Sequence, residues 1–356
     1  MNYIKNLLNS NAYSLSGDEK EKYFKNKINS LTFFHFKKST EYRNYLKGLH
    51  YKLKKKEKLK DIPFLPVRLF KEHELISIKK EKIFKTLYSS GTSSFNLSKI
   101  FLDKFNALNQ IKVLQKIFFN IIGNSRLPML IIDKKPKNIE RNNYNASIAA
   151  INGFSIFANE KIYLLDHRNK IDYKSLRIFL NKNFKKKFLV FGLTSNIYLN
   201  LIEKLDEKKI KNNSFINSVM IHGGGWKKIE NKKLDKKKFN FYLNKKIGIK
   251  KIINYYGLVE QIGSIFFECD CGYFIPSNFS DVLIRDANFD VCKEGEKGIV
   301  QLISLLPTSY PGHSILTEDI GEIVKKHNCK CYNTNSKRFL IHGRLKDAEL
   351  RGCSDI

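Results

Sequence analysis

Nowhere in its 356 residues does the chain hold the ~18 consecutive apolar residues that would span a bilayer as a helix. Its first residues, Met-Asn-Tyr-Ile-Lys-Asn-Leu-Leu-Asn-Ser, lack the apolar core of a secretory signal, so a cytoplasmic protein is expected. Cysteine is missing from the first three quarters. All 6 cysteines (Cys269, Cys271, Cys292, Cys329, Cys331, Cys353) fall in the last quarter, which argues against a disulfide framework and for local metal or thiol chemistry. The Walker spacing G-x-x-x-x-G-K-[ST] is also missing, so any phosphate site must be built another way. Alanine is scarce beside abundant lysine, asparagine, isoleucine and phenylalanine, the profile of a genome rich in A and T. The formal charge of +31 is therefore read mainly as solvated lysine, spread over Lys52 to Lys60, Lys134 to Lys137, Lys185 to Lys187 and Lys232 to Lys238. A basic nucleic-acid-binding protein is kept as the reading from another functional class.

What is present is a globular composition, with 42% hydrophobic and 13% aromatic residues, and enough length for two domains or one large α/β domain with additions. Residues 1–60 are charged and helix-prone, with a ragged apolar stripe through Phe24, Ile28, Leu31, Phe34 and Phe36. The two prolines of Ile62-Pro-Phe-Leu-Pro-Val-Arg-Leu-Phe-Lys71 impose an extended path across a core. Within 61–262, apolar runs at Pro128 to Ile132, Ile162 to Leu165, Phe188 to Phe191, Ser218 to Ile221 and Ile252 to Tyr255 alternate with helical patterns near 102–122, 145–152, 173–184, 195–208 and 235–246. That alternation predicts β-α-β units, a mostly parallel sheet flanked by helices. From 263–356 the runs turn β-rich, predicting a smaller subdomain.

Tyr88 to Lys99 crowds the hydroxyls of Ser89, Ser90, Thr92, Ser93 and Ser94 around Gly91, a loop able to converge on an anion. Asp103 and the apolar residues Leu102, Phe105, Leu108, Ile111, Leu114 and Ile117 place this loop at a helix entrance, where the dipole favours phosphate. A plain Ser/Gly loop is the alternative. After a predicted strand, His222-Gly-Gly-Gly-Trp-Lys227 lets a planar group lie against bare backbone. Asn254-Tyr-Tyr-Gly-Leu-Val-Glu-Gln261 adds an aromatic ring and a carboxylate able to hold Mg²⁺. Leu316-Thr-Glu-Asp-Ile-Gly321 supplies a carboxylate for ribose hydroxyls, and Ile341-His-Gly-Arg-Leu-Lys-Asp347 a guanidinium fork. Cys269-Asp-Cys271 and Cys329-Lys-Cys331 offer four thiolates suited to a structural Zn²⁺.

In this order the motifs resemble those of the adenylate-forming enzymes. With Pro63 to Lys71, Ser98-Lys-Ile100, Ser309-Tyr-Pro-Gly-His313 and Glu349-Leu-Arg-Gly-Cys-Ser-Asp355 added, the stretch from about residue 60 onward resembles the LuxE-type acyl-protein synthetase family, in the phenylacetate-CoA ligase-like branch. The resemblance implies ATP-dependent activation of a carboxylic acid, a fatty acid among the candidates, as acyl-AMP and transfer of the acyl group to a protein thiol. A carrier, reductase or acyltransferase partner is implied with it. On this resemblance Ser90, Gly91, Thr92 and Ser93 cradle the triphosphate. Gly223, Gly224 and Gly225 flank adenine, Tyr256 stacks on it, and Glu260 binds Mg²⁺. Asp319 and Arg344 hold the ribose, and Cys353 carries the acyl group. A ligase using free CoA is the alternative enzyme reading. Three departures stand out: Ser94 replaces a loop glycine, Leu97 a lysine, and Val259 a threonine. The chain runs only nine residues beyond Asp347, so the family's small C-terminal lid domain, with its catalytic lysine, is expected to be absent. Lys227 is the candidate substitute, one more solvated lysine being the alternative.

Overall fold

The computed structural model of the chain describes residues 2–15, 17–54, 56–89, 97–136, 146–325, 328–331 and 336–345. In chain order, α1 (Asn2–Asn9), α2 (Gly17–Lys38) and α3 (Thr40–Gly48) lead into β1 (Leu65–Pro66), α4 (Leu69–Glu72), β2 (Lys85–Tyr88), β3 (Lys99–Leu102) and α5 (Lys104–Ile122). An alternating stretch follows: β4 (Leu127–Lys134), α6 (Ala146–Ser155), β5 (Ala158–Leu165), α7 (Tyr173–Asn183), β6 (Phe188–Leu193), α8 (Thr194–Ile197), β7 (Ser218–Gly223), α9 (Lys236–Ile247) and β8 (Lys251–Gly257). The remainder is strand: β9 (Ile265–Phe267), β10 (Ser280–Arg285), β11 (Lys297–Ser304), β12 (Ser314–Ile323) and β13 (Phe339–Arg344). None of the helices among the described residues is long and apolar enough to cross a membrane.

Two compact units result, and they do not follow chain order. One gathers 1–89, 93–121 and 256–349; the other is built on 122–255. The expected divisions at 60 and 262 ran along the chain, whereas the N-terminal helices join the β-rich C-terminal strands in the first unit. The second unit carries the predicted alternation as a parallel sheet in the order β5-β4-β6-β7-β8. Its strands β6 and β7 are buried at every residue, as strands covered on both faces must be. The order reverses between β4 and β6, the place beyond whose carboxyl ends ligands collect in such sheets.

In the first unit β12 is the organising strand. It pairs antiparallel with β11, and its other edge is shared: Leu65 and Pro66 pair parallel with Ile315 and Leu316, while β13 pairs antiparallel from Asp319 to Ile323. The N-terminal helices are core here, not preface. His35 of α2 is fully buried, its two ring nitrogens meeting Ser77 Oγ at 2.7 Å and the Pro307 carbonyl at 3.1 Å. It stacks on the equally buried His313 at 4.9 Å, whose Nε2 meets Thr32 Oγ1 at 3.0 Å.

Helix α5 corrects two expectations. Strand β3 lies between it and the Ser/Gly stretch in the chain, so the helix does not begin directly after that stretch; Ser89 and Ser98 bond to each other at the end of the β2–β3 pair, and residues 90–96 lie outside the described residues. The buried face is also rotated: Leu108 and Ile111 are exposed, while Asn106 is fully buried because its side chain holds Thr308 and the 308–309 backbone. Polar anchoring decides which side of the helix faces in.

Burial pushes the His35 pKa down to about 3, against the carbonyl bond that favours its charged form, and burial with the neighbouring His35 drives His313 well below its ordinary value. Unfolded histidine titrates near ~6.5, so these depressed groups add stability above that pH and lose it progressively as pH falls below it, at up to ~1.4 kcal/mol per pH unit for each ring. Denaturant unfolding should therefore show lower stability at pH 5 than at pH 7, with a shallower loss in His313→Phe. Equal stability at the two pH values would refute the account.

Candidate functional site

The motifs divide between the two units, and each group has its own local logic. In the second unit, β7 and β8 pair in register so that Gly223 lies opposite Tyr255. A Cβ on Gly223 would come within 2.6 Å of the Tyr255 ring, which packs on Phe154 at 4.9 Å and Phe191 at 6.4 Å. Gly223 is thus required by a tyrosine that the sequence reading passed over, the residue before Tyr256. Gly224 has φ +79°, a turn conformation that a side chain would strain. Gly225 has nothing within 4 Å of its Cβ position and is the open backbone of the three.

The loop is held from both ends. Thr194 at the carboxyl end of β6 donates to the Gly223 carbonyl at 3.1 Å, so its oxygen accepts from His222 Nδ1 at 2.9 Å. Burial, helped by Lys236, brings the His222 pKa down to about 3, keeping the ring neutral for this bond. On the far side Trp226 sits in the core against Tyr198 and Phe239. The backbone of Lys227 then begins a 3-10 turn; its side chain lies outside what is described. At the carboxyl ends of β4 and β6, Asp133 accepts from Ser147 at 2.5 Å and Asn196 at 3.3 Å, a polar cluster at the sheet's reversal that no motif announced.

In the first unit the two residues expected to hold ribose face each other. Asp319 is the cross-strand partner of Arg344, with Arg344 Nε 3.6 Å from Asp319 Oδ1. The Tyr256 hydroxyl donates to Asp319 Oδ2 at 2.7 Å. Its ring lies on Phe266, Phe274 and Phe339, with centroids 6.0 to 6.3 Å away, so part of its surface is already committed to the protein. Burial raises the Asp319 carboxyl and, with the Asp319 charge beside it, the Tyr256 phenol well above its usual value. The phenol therefore stays protonated and fixes the carboxylate's orientation.

Glu318 was the residue missed. It is buried, with one oxygen 2.5 Å from Arg68 Nε and the other 3.2 Å from the Arg344 guanidinium. Arg68 comes from the Pro-x-x-Pro-Val-Arg stretch, whose backbone continues β1 through the Val67 N–H to the Leu316 carbonyl. That stretch, at first only a fingerprint, delivers a second guanidinium to the carboxylate that orients the first. Glu260 is buried in the turn after β8. The turn is locked by Gln261, whose amide donates to the Leu302 and Gly312 carbonyls, and by the Tyr310 hydroxyl, which accepts from the Ile262 N–H. Ser309-Tyr-Pro-Gly-His313 is therefore scaffold for that turn. The four cysteines also converge: their sulfurs all lie within 4.8 Å of one another. Ser90, Gly91, Thr92, Ser93 and Cys353 lie outside the described residues.

Comparison with known proteins adds to this geometry. The chain is similar to the long-chain-fatty-acid–luciferin-component ligase of Aliivibrio fischeri, 27% identical over 322 residues, covering 86% of this chain and 81% of the relative. The ligase of the same name from Vibrio harveyi is 24% identical over 340 residues, covering 90% and 83%. Among solved structures, 2-hydroxyisobutyryl-CoA ligase in complex with 2-HIB-AMP matches with a TM-score of 0.73 at 13% identity, over 94% of this chain and 70% of that one. An open conformation of the same ligase, with 2-HIB-AMP and CoA, gives 0.71 at 13% identity, over 94% and 72%. The fold is thus that of an adenylate-forming ligase. The family model described as acyl-protein synthetase, LuxE, matches residues 2–356, so the helices before residue 60 belong to the family as well. The chain belongs to the LuxE acyl-protein synthetase family, and it is a ligase that activates a carboxylic acid with ATP and passes on the acyl group.

Proposed function

We propose that the acid is a long-chain fatty acid and the acceptor a protein thiol, with ATP and Mg²⁺ as cofactors and a structural Zn²⁺ at the four clustered cysteines. The observation that carries the nucleotide role is the Asp319–Arg344 cross-strand pair, its carboxylate oriented by Tyr256. A carboxylate and a guanidinium held side by side suit vicinal hydroxyls and a nearby phosphate. The names of the two relatives support the choice of acid.

In the first half-reaction a substrate carboxylate oxygen attacks the α-phosphorus of ATP and pyrophosphate leaves. Ser90, Gly91, Thr92 and Ser93 would cradle the departing phosphates, and Gly225, with the turn at Gly224 and the Tyr255-backed Gly223, would present bare backbone to adenine. Glu260 would hold Mg²⁺, which neutralises phosphate charge when bound. Lys227 would stabilise the charge gained at the α-phosphate. In the second, a thiolate attacks the acyl carbonyl and AMP leaves; Cys353 is the candidate thiol, from which a carrier, reductase or acyltransferase partner would take the acyl group.

Pyrophosphate exchange over a panel of carboxylic acids tests this reading. Exchange should be strongest with long-chain acids; exchange confined to small acids would refute the substrate, and none with any acid, together with salt-sensitive binding to duplex DNA, would favour a nucleic-acid role. AMP release driven by CoA alone would assign the acceptor to CoA. Lys227→Ala should lose ~100-fold in adenylate formation with nucleotide binding kept, and an unchanged rate sinks its role. Cys353→Ser should keep adenylate formation and lose stable acyl label on the protein.

Glu318 is a positioning residue on this reading. Glu318→Ala should raise the KM for ATP ~10-fold or more, the scale of a lost charge-assisted hydrogen bond, with kcat less affected. Arg68→Ala should do the same more weakly, and a change confined to kcat would count against both.

A further inference from the structure

The four cysteines sit on two short loops of the first unit, one after β9 and one between β12 and β13. In the first, the Cys269 N–H donates to the Tyr273 carbonyl and the Gly272 N–H to the Cys269 carbonyl, both at 2.8 Å, and Gly272 takes a φ of +91° that glycine alone adopts cheaply. In the second, Cys329 and Cys331 flank Lys330. Across the loops Cys269 Sγ lies 3.6 Å from Cys329 Sγ, and Cys271 Sγ lies 3.9 Å from Cys331 Sγ. A disulfide requires ~2.05 Å. A tetrahedral metal with four Zn–S bonds of ~2.3 Å requires sulfur–sulfur edges of ~3.8 Å; the two cross-loop edges lie close to that, and all four sulfurs are within 4.8 Å of one another.

A second observation points the same way. Arg338 is fully buried beside the cluster, its guanidinium hydrogen-bonded to the Cys329 sulfur and donating to the Ser336 carbonyl at 2.5 Å and the Cys331 carbonyl at 2.7 Å. Four thiolates around one divalent ion carry a net charge of about −2, which stabilises a buried cation; four neutral thiols do not.

We propose that Cys269, Cys271, Cys329 and Cys331 form a closed structural Zn²⁺ centre whose task is to set the position of β13, and with it Arg344. The chain leaves the second loop through Arg338 into Phe339, whose N–H and carbonyl exchange hydrogen bonds of 3.1 and 3.0 Å with Phe274, just past Cys271. The centre and this bridge join the same two loops. Phe339 begins β13, packs on Phe266 at 5.1 Å and Phe274 at 5.5 Å, and touches Tyr256. The centre therefore anchors both the aromatic bed beneath Tyr256 and the strand that ends in Arg344. Five residue rises of ~3.3 Å each separate Phe339 from Arg344, so the metal acts by position. With four protein ligands it has no open site for chemistry. The second half of this inference rests on the nucleotide role proposed for Tyr256, Asp319 and Arg344.

The full chain should purify with about one Zn²⁺, and Co²⁺ should replace it with the thiolate-to-metal absorption of a tetrathiolate site. Cys269→Ser or Cys331→Ser should lower metal content several-fold, whereas Cys292→Ser, outside the cluster, should leave it unchanged. Should the cysteine variants fail to fold, chelation of the unmodified protein gives the same reading. Removing the metal should speed amide exchange in β13 and weaken ATP binding ~10-fold or more, the scale expected when a binding group is misplaced by about 1 Å. A chain that holds neither Zn²⁺ nor Co²⁺ overturns the centre. Metal whose removal leaves β13 exchange unchanged overturns the positioning role. Faster β13 exchange with undiminished ATP binding upholds the clamp and counts against the nucleotide reading of Arg344.

Discussion

The register between β12 and β13 is the constraint on which the first unit's chemistry depends. Asp319 faces Arg344 only because five consecutive strand positions of β12 pair with β13, through a bulge at Ile320 and Gly321. Side chains alternate between faces, so a slip of one residue would send Arg344 to the other side of the sheet. Register is usually specified by a buried face, and here Phe339 at the start of β13 supplies it, locked between Phe266 and Phe274. The other half of the same β12 edge is occupied by Leu65 and Pro66, leaving Glu318 in the interval between the two partners. A buried carboxylate in such a gap is costly unless it is paired, and Arg68 and Arg344 pair it from the two sides.

Polar groups elsewhere in the molecule follow the same economy. Asn106, Gln261, Ser309 and His313 are fully or almost fully buried, and each is tied to backbone or to another buried polar group. Ser309 and His313 lie on the 307–313 stretch, Gln261 in the turn after β8, and Asn106 reaches that stretch from α5; both segments have little regular structure to satisfy their own backbone. Side chains supply the missing partners, as buried irregular chain requires. In the second unit His222 and Thr194 do this for the glycine loop, and Trp226 closes it by burial. The loop is thus rigid at both ends while its middle, Gly225, stays open.

Much of this was legible in the residues. Alternation of apolar runs with helical patterns located the five parallel strands and their helices to within a few positions, because buried parallel strands read as continuous hydrophobic blocks. The motif order identified the family, since each motif joins a specific residue type to a strand end. The convergence of the two Cys-x-Cys pairs was expected from thiolate chemistry, whereas a shared role for Asp319 and Arg344 was implied only by the family resemblance and their cross-strand pairing was not foreseen.

Other features depended on contacts that chain order does not encode. The face of α5 was misplaced because Asn106 bonds a segment some two hundred residues away, which outweighs the apolar stripe through Leu108 and Ile111. Gly223 answers to Tyr255 through a parallel register between strands separated by a helix. Glu318 and Arg68 lie within motifs that assigned them no role, and only the shared edge of β12 makes them neighbours. The sequence by itself determined which chemistry the chain carries, because residue types and local periodicity are properties of neighbours in the chain. Which of those residues face one another was decided by tertiary structure, because strand register and buried charge pairing are settled between segments tens to hundreds of residues apart.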